Sequence, residues 1–106
     1  MSNINNAHKL ELEVYHALKE VLDPELNINI IDMGLIYSIH YKADHIMYVE
    51  MTLSSKACPL GDTIKKDVEE TIRKIMNDSF KLELVWEPAW TTDCITPEGK
   101  KQLQTI

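Results

Sequence analysis

Cys58-Pro59 is the pair of residues in this 106-residue chain best suited to chemistry. Proline fits the first turn of a helix, where its missing N–H costs nothing, so the spacing puts Cys58 at or just before a helix start. Unpaired backbone N–H groups and the helix dipole favour an anion there, and Lys56 adds positive charge two positions earlier. A thiolate so placed can act as a nucleophile, or as a soft ligand for iron or an iron–sulfur cluster. The alternative is a buried cysteine serving as a small hydrophobe. The other cysteine is Cys94. No Cys-x-x-Cys pair or zinc-type spacing exists, so a self-contained four-ligand metal site is not expected. Cys94 is core filler, an exposed thiol, or a neighbour of Cys58 if the tail folds back.

A second group is acidic. Asp23 and Glu25 flank Pro24, and Asp32 follows in Asp32-Met33-Gly34. Paired carboxylates can do acid/base work or hold a hard metal ion, but Asp beside proline also stops helices and accepts backbone hydrogen bonds in turns. Gly34 reads as a turn glycine that supplies a positive φ or a close backbone approach. In Trp86-Glu87-Pro88-Ala89-Trp90, Trp86 reads as core, whereas Trp90 lies past a strand end and suits a partner surface or a lid. The four histidines are scattered without ligand spacing. There is no Ser-His-Asp cue and no phosphate or dinucleotide loop.

The elements that must position these residues follow from periodicity. Leu10, Val14, Ala17, Leu18, Val21 and Leu22 recur at helical offsets, predicting a helix over 8–22 that Asp23-Pro24 ends. Residues 25–34 predict an ordered loop, with a short turn or β-bridge, that must pack against something. Leu35, Tyr37, Ile39 and Tyr41, then Met47, Val49, Met51 and Leu53, alternate with polar residues and predict an antiparallel hairpin. Leu60, Ile64, Val68, Ile72 and Ile75 predict a helix over 59–77. Phe80, Leu82, Leu84 and Trp86 predict a third strand. Thr96-Pro97-Glu98 reads as an N-cap and first turn of a short helix to about Leu103. The expected fold is α+β, in the order α-β-β-α-β-α, with a small mixed three-stranded sheet covered by helices. Residues 1–7 are expected to be disordered, and 8–106 to form one domain.

Composition excludes several function classes. The chain is 44% hydrophobic and 26% charged, with a net charge of −6 from 17 acids and 11 bases. Nucleic-acid binding is not expected, because phosphate backbones are held by clustered Lys and Arg, and Lys65-Lys66 and Lys100-Lys101 have acidic neighbours. No apolar run approaches the roughly 18 residues that span a bilayer. The start of the chain lacks a signal peptide's basic region and apolar core, so the expected location is the cytoplasm, where thiols stay reduced.

Five segments in order, Asp23-Pro24-Glu25, Ile31-Asp32-Met33-Gly34-Leu35-Ile36, Met51-Thr52-Leu53, Ala57-Cys58-Pro59-Leu60 and Trp86-Glu87-Pro88-Ala89-Trp90, resemble the iron–sulfur assembly family of SufT and PaaD-like proteins. The cytosolic iron–sulfur assembly component 2 proteins share that family. The resemblance covers roughly residues 8–104. It implies an α+β fold and a non-catalytic accessory role, as carrier or adaptor, in maturing iron–sulfur proteins. The implied partners are the assembly machinery and client apoproteins. By resemblance the reactive cysteine is Cys58, the acidic motif is Asp23 and Glu25, and the Asp-x-Gly turn is Asp32 and Gly34. Members often carry a methionine-rich turn after Trp-x-Pro; here Cys94 stands in that region, as a second ligand or a neutral replacement. Clusters take about four protein ligands, so a transient cluster or iron on Cys58 would need a homodimer, Cys94, a small thiol or a partner to complete it. Two rivals remain: a thiol-dependent enzyme with Cys58 as nucleophile, which lacks a histidine base nearby in sequence, and a pure interaction module such as a non-catalytic oxygenase-complex subunit.

Overall fold

The computed structural model describes residues 3–24, 26–53 and 61–104. Helix α1 (Asn3–Leu18) leads into a loop, strand β1 (Ile36–Tyr41) and strand β2 (Met47–Met51). Helix α2 (Gly61–Met76), strand β3 (Phe80–Leu84), a 3-10 turn at Thr92–Cys94 and helix α3 (Pro97–Gln104) follow. The α-β-β-α-β-α order and the α+β class are those expected from sequence. The sheet runs β1-β2-β3 with β2 central, antiparallel to β1 and parallel to β3. It is therefore mixed, as a hairpin followed by a helical crossover requires.

One face of the sheet carries the core. Met47, Val49 and Met51 alternate with solvent-directed Tyr48 and Glu50. Val14 and Leu18 of α1, and Ile64, Val68 and Ile72 of α2, are buried with them. The spacing of four along α2 sets one apolar stripe against the sheet. Asn77 closes that helix in the left-handed region, with φ 55°. Its N–H bonds to the Arg73 carbonyl at 2.8 Å, satisfying an end group that would otherwise lack a partner. Among the described residues the opposite sheet face is uncovered, a groove bearing Ser38, His40, Tyr48, Glu50, Lys81 and Glu83.

The first helix departs from expectation at both ends. It takes in residues 3–7, which the sequence reading leaves disordered, and stops at Leu18 rather than Leu22. Tight i→i+3 bonds from Lys19, Glu20 and Val21 end it. The chain then pairs with itself: Leu22 bridges Asn29, the Asp23 N–H donates to the Ile28 carbonyl at 2.8 Å, and the Ile30 N–H to the Val21 carbonyl at 2.9 Å. That pairing takes Ile28 and Ile30 to full burial, which one more helical turn would not. Leu22, expected on the helix's apolar face, is instead 47% exposed.

Register supplies a feature that alternation hides. From Ser38↔Glu50 to Tyr41↔Met47 the β1–β2 pairs advance evenly, but Ile36 faces Met51. Tyr37 is the extra residue, a β-bulge, and a bulge re-aims the side chain it carries.

Candidate functional site

The end of the sheet away from the hairpin is built by three segments: the 29–35 turn, the end of β2, and the 86–96 tail. The turn is held first by its own side chains. The Asp32 N–H donates to Asn29 Oδ1 at 2.9 Å, and Asn29 Nδ2 donates back to Asp32 Oδ2 at 2.8 Å. Gly34 follows with φ 77°. A Cβ on Gly34 would collide with the Cys94 carbonyl oxygen and sit 2.8 Å from Cys94 Cβ. Glycine here answers both demands expected of it, a left-handed φ and a close backbone approach.

The tail docks on this turn through three hydrogen bonds between distant residues, and on β1 through a fourth. Trp90 Nε1 donates to the Met33 carbonyl at 2.7 Å. Thr96 Oγ1 donates to Asp32 Oδ1 at 3.0 Å, and the Thr96 N–H to the Asp32 carbonyl at 2.8 Å. The Tyr37 hydroxyl donates to the Pro88 carbonyl at 2.7 Å. Thr96 also accepts from the Gly99 N–H at 3.1 Å, so the predicted cap of α3 is present and the same hydroxyl anchors the helix to Asp32. Ile95 is buried in the core, which commits the tail to this position.

Cys94, a half-buried free thiol, therefore lies beside Gly34 and close to Tyr37. The Tyr37 phenol is held above the usual tyrosine range, first by desolvation and then by the neighbouring Cys94 charge, with the Thr52 hydroxyl partly opposing both. Thr52 is 0% exposed. Its N–H bonds to the Leu35 carbonyl at 2.8 Å, so the end of β2 is tied to the turn. Through Thr52 and Leu53 the chain runs on to residues 54–60. Cys58 is in that segment, and it and Glu25 lie outside the described residues.

The remaining candidates have structural employment. Asp23 is 6% exposed and accepts the Leu26 N–H on Oδ1 at 3.1 Å, while its carbonyl accepts the Asn27 N–H at 2.7 Å. That is turn chemistry around Pro24. Asp32 spends both carboxylate oxygens on Asn29 and Thr96. Trp90 is a half-buried clamp rather than a projecting surface residue. Among the described residues no three His, Cys, Asp or Glu side chains gather as a metal-binding group. No described helix is long and apolar enough to cross a membrane.

Sequence reasoning missed Tyr37 and Thr52. Tyr37 reads as one more core position in an alternating strand. Thr52 reads as a solvent-facing one. The Tyr-Ser step into His40 gives no sign of the bulge.

The chain matches the family described as "Iron-sulfur cluster assembly protein" over residues 11–79. It is 33% identical over 100 residues to an Fe-S protein maturation auxiliary factor of Porphyromonas gingivalis, covering 93% of this chain and 95% of that one. It is 35% identical over 81 residues to the Fe-S protein maturation auxiliary factor SufT of Staphylococcus aureus, covering 76% and 92%. A crystal structure of a domain of unknown function from Bacillus anthracis superposes with a TM-score of 0.88 at 25% identity, over 97% and 99% of the two chains.

Proposed function

The chain belongs to the iron–sulfur cluster assembly protein family, and from that premise we infer that it is an accessory factor in the maturation of iron–sulfur proteins. The observation that carries this reading is its likeness, over nearly full length, to relatives named as maturation auxiliary factors. The role is non-catalytic. The factor works in the cytoplasm, with the assembly machinery and client apoproteins as its partners.

Cys58 is the residue that handles the cargo. Its support is chemical: a thiol between β2 and α2, in the segment that resembles the family's reactive cysteine. The cargo is iron or a cluster in transit, or a client thiol. Clusters take about four protein ligands, so Cys58 alone cannot own one. A second protomer, a small thiol, Cys94 or the partner supplies the rest. Cys94 belongs to the converged end of the sheet that begins the Cys58-bearing segment. Asp23 and Asp32 shape the turns beside that end rather than bind metal, since Asp23 accepts a turn hydrogen bond and Asp32 accepts from both turn and tail.

The test compares wild type with Cys58→Ser in two assays: anaerobic reconstitution of the purified protein, and iron–sulfur enzyme activity in cells lacking the native copy. Loss of client activity with Cys58→Ser is expected. Equal maturation by the two proteins would remove the thiol from the mechanism and leave an adaptor.

A further inference from the structure

Tyr37 stands apart from the other tyrosines whose hydroxyls form hydrogen bonds here. The hydroxyls of Tyr41 and Tyr48 pair with His45 and Asp44, each four positions away, at the exposed hairpin. The Tyr37 hydroxyl instead reaches the Pro88 carbonyl, 51 positions away, at 2.7 Å. Its ring is placed there by the bulge in β1. The residue before it, Ile36, pairs with Met51 at the end of β2, and the phenol lies near Thr52, fully buried one position further on, and near Cys94. Tyr37 thus joins the strand end to the tail. Trp90 clamps the tail to the turn, but through Met33 alone.

We propose that Tyr37 is the positioning residue of this end of the sheet: through its hydroxyl it holds Pro88, and with it the Cys94 thiol, against the end of β2. The proposal rests on the reading above, in which this end handles cargo or client. The ring supplies packing, and the hydroxyl supplies placement. Tyr37→Phe therefore separates the two, keeping the fold and the Trp90, Ile95 and Thr96 anchors while releasing the tail at Pro88.

Cys94 reports on that release. In a Cys58→Ser background it is the remaining cysteine, and its thiolate displaces iodide from iodoacetamide at a rate set by access and placement. Tyr37→Phe is expected to raise the rate about fivefold, roughly what one net hydrogen bond is worth. With Cys58 intact, Tyr37→Phe should lower client maturation in cells by a similar factor. A hydroxyl that only stabilised the fold would lower the melting temperature without changing native-state alkylation. Unchanged alkylation overturns the proposal, as does full maturation in a strain where Cys58→Ser fails. If Cys58→Ser instead matures clients normally, the thiol reading falls by itself and the alkylation comparison still decides Tyr37. Should Tyr37→Phe not fold, 4-fluorophenylalanine at position 37 fills the volume of the hydroxyl without a donor for the Pro88 carbonyl. Native-state alkylation of Cys94 no faster than with tyrosine at that position overturns the proposal.

Discussion

The two ends of the sheet differ in the balance of their hydrogen bonds: each has local and long-range ones, but among the described residues the hairpin end has one long side-chain bond, from the Tyr41 N–H to Glu11, and its remaining ones are short. At the hairpin end, Asp44 accepts from the Ile46 N–H and the Tyr48 hydroxyl, and Tyr41 meets His45; these partners lie two to four positions apart and face solvent. At the other end, the side-chain bonds from Tyr37, Trp90 and Thr96 span 51, 57 and 64 positions. Local polar pairs turn a chain. Long-range ones, part-buried at Trp90 and Thr96 and exposed at Tyr37, are aimed at backbone carbonyls and a carboxylate and fix where three separate segments meet. The first kind ends strands and the second builds a site, so the two ends should respond differently to the same type of substitution.

The largest expected effect is at Gly34. An alanine there must take a left-handed φ while pressing on the Cys94 backbone. Gly34→Ala should cost about 3 kcal/mol in urea denaturation, which lowers the melting temperature of a domain this size by roughly 15 °C. A loss under 1 kcal/mol would mean that the tail does not sit on the turn. Next is Asp32, whose carboxylate serves Asn29 and Thr96 together. Asp32→Ala should cost about 2 kcal/mol by the same measurement, because it leaves half-buried donors without an acceptor. Hydrogen exchange should show α3 loosening with it.

Smaller effects distinguish the ends by pH. Tyr37 is held above the ordinary tyrosine value of about 10. Its contribution is therefore fully present below about pH 10 and lost as pH rises through the higher folded value. Tyr37→Phe should flatten the alkaline limb of a stability–pH curve. Asp44 is held below the ordinary aspartate value, first by the Tyr48 hydroxyl. Its contribution is present above about pH 4 and lost as pH falls through the lower folded value. The group is exposed, so Asp44→Asn should lower the neutral urea midpoint only slightly and flatten the acid limb of the curve. An Asp44 variant that destabilised the fold as much as Asp32→Ala would erase the distinction between the ends.

Legibility in the sequence follows the same division. Helix α2 was readable because Ile64, Val68 and Ile72 recur every fourth residue and all end up buried. Strand β2 was readable because Met47, Val49 and Met51 alternate with solvent-directed neighbours. Thr96 announced the cap of α3 through its local chemistry, and Gly34 announced a turn. The end of α1 was not readable. Whether Val21 and Leu22 extend the helix depends on Ile28 and Ile30 competing for the core. The roles of Tyr37, Asp32 and Trp90 were hidden for a related reason: each is decided by a partner more than fifty positions away, and periodicity carries no information at that range. A bulge adds one residue to one strand without changing its composition, so Tyr37 looked like an ordinary core position. Family resemblance supplied the function that local pattern could not, and two of the short segments that carry it, 31–36 and 86–90, are bonded to each other in the fold through Trp90 and Met33.

On the proposed reading, this factor serves iron–sulfur protein maturation through the Cys58 thiol. The most direct measurement is the activity of an iron–sulfur enzyme per molecule of that enzyme. It is made in cells lacking the native factor and resupplied with either wild type or Cys58→Ser at equal abundance. The account predicts that wild type restores the activity and Cys58→Ser does not, while enzymes without clusters are unaffected by either. Equal restoration by both proteins would contradict it.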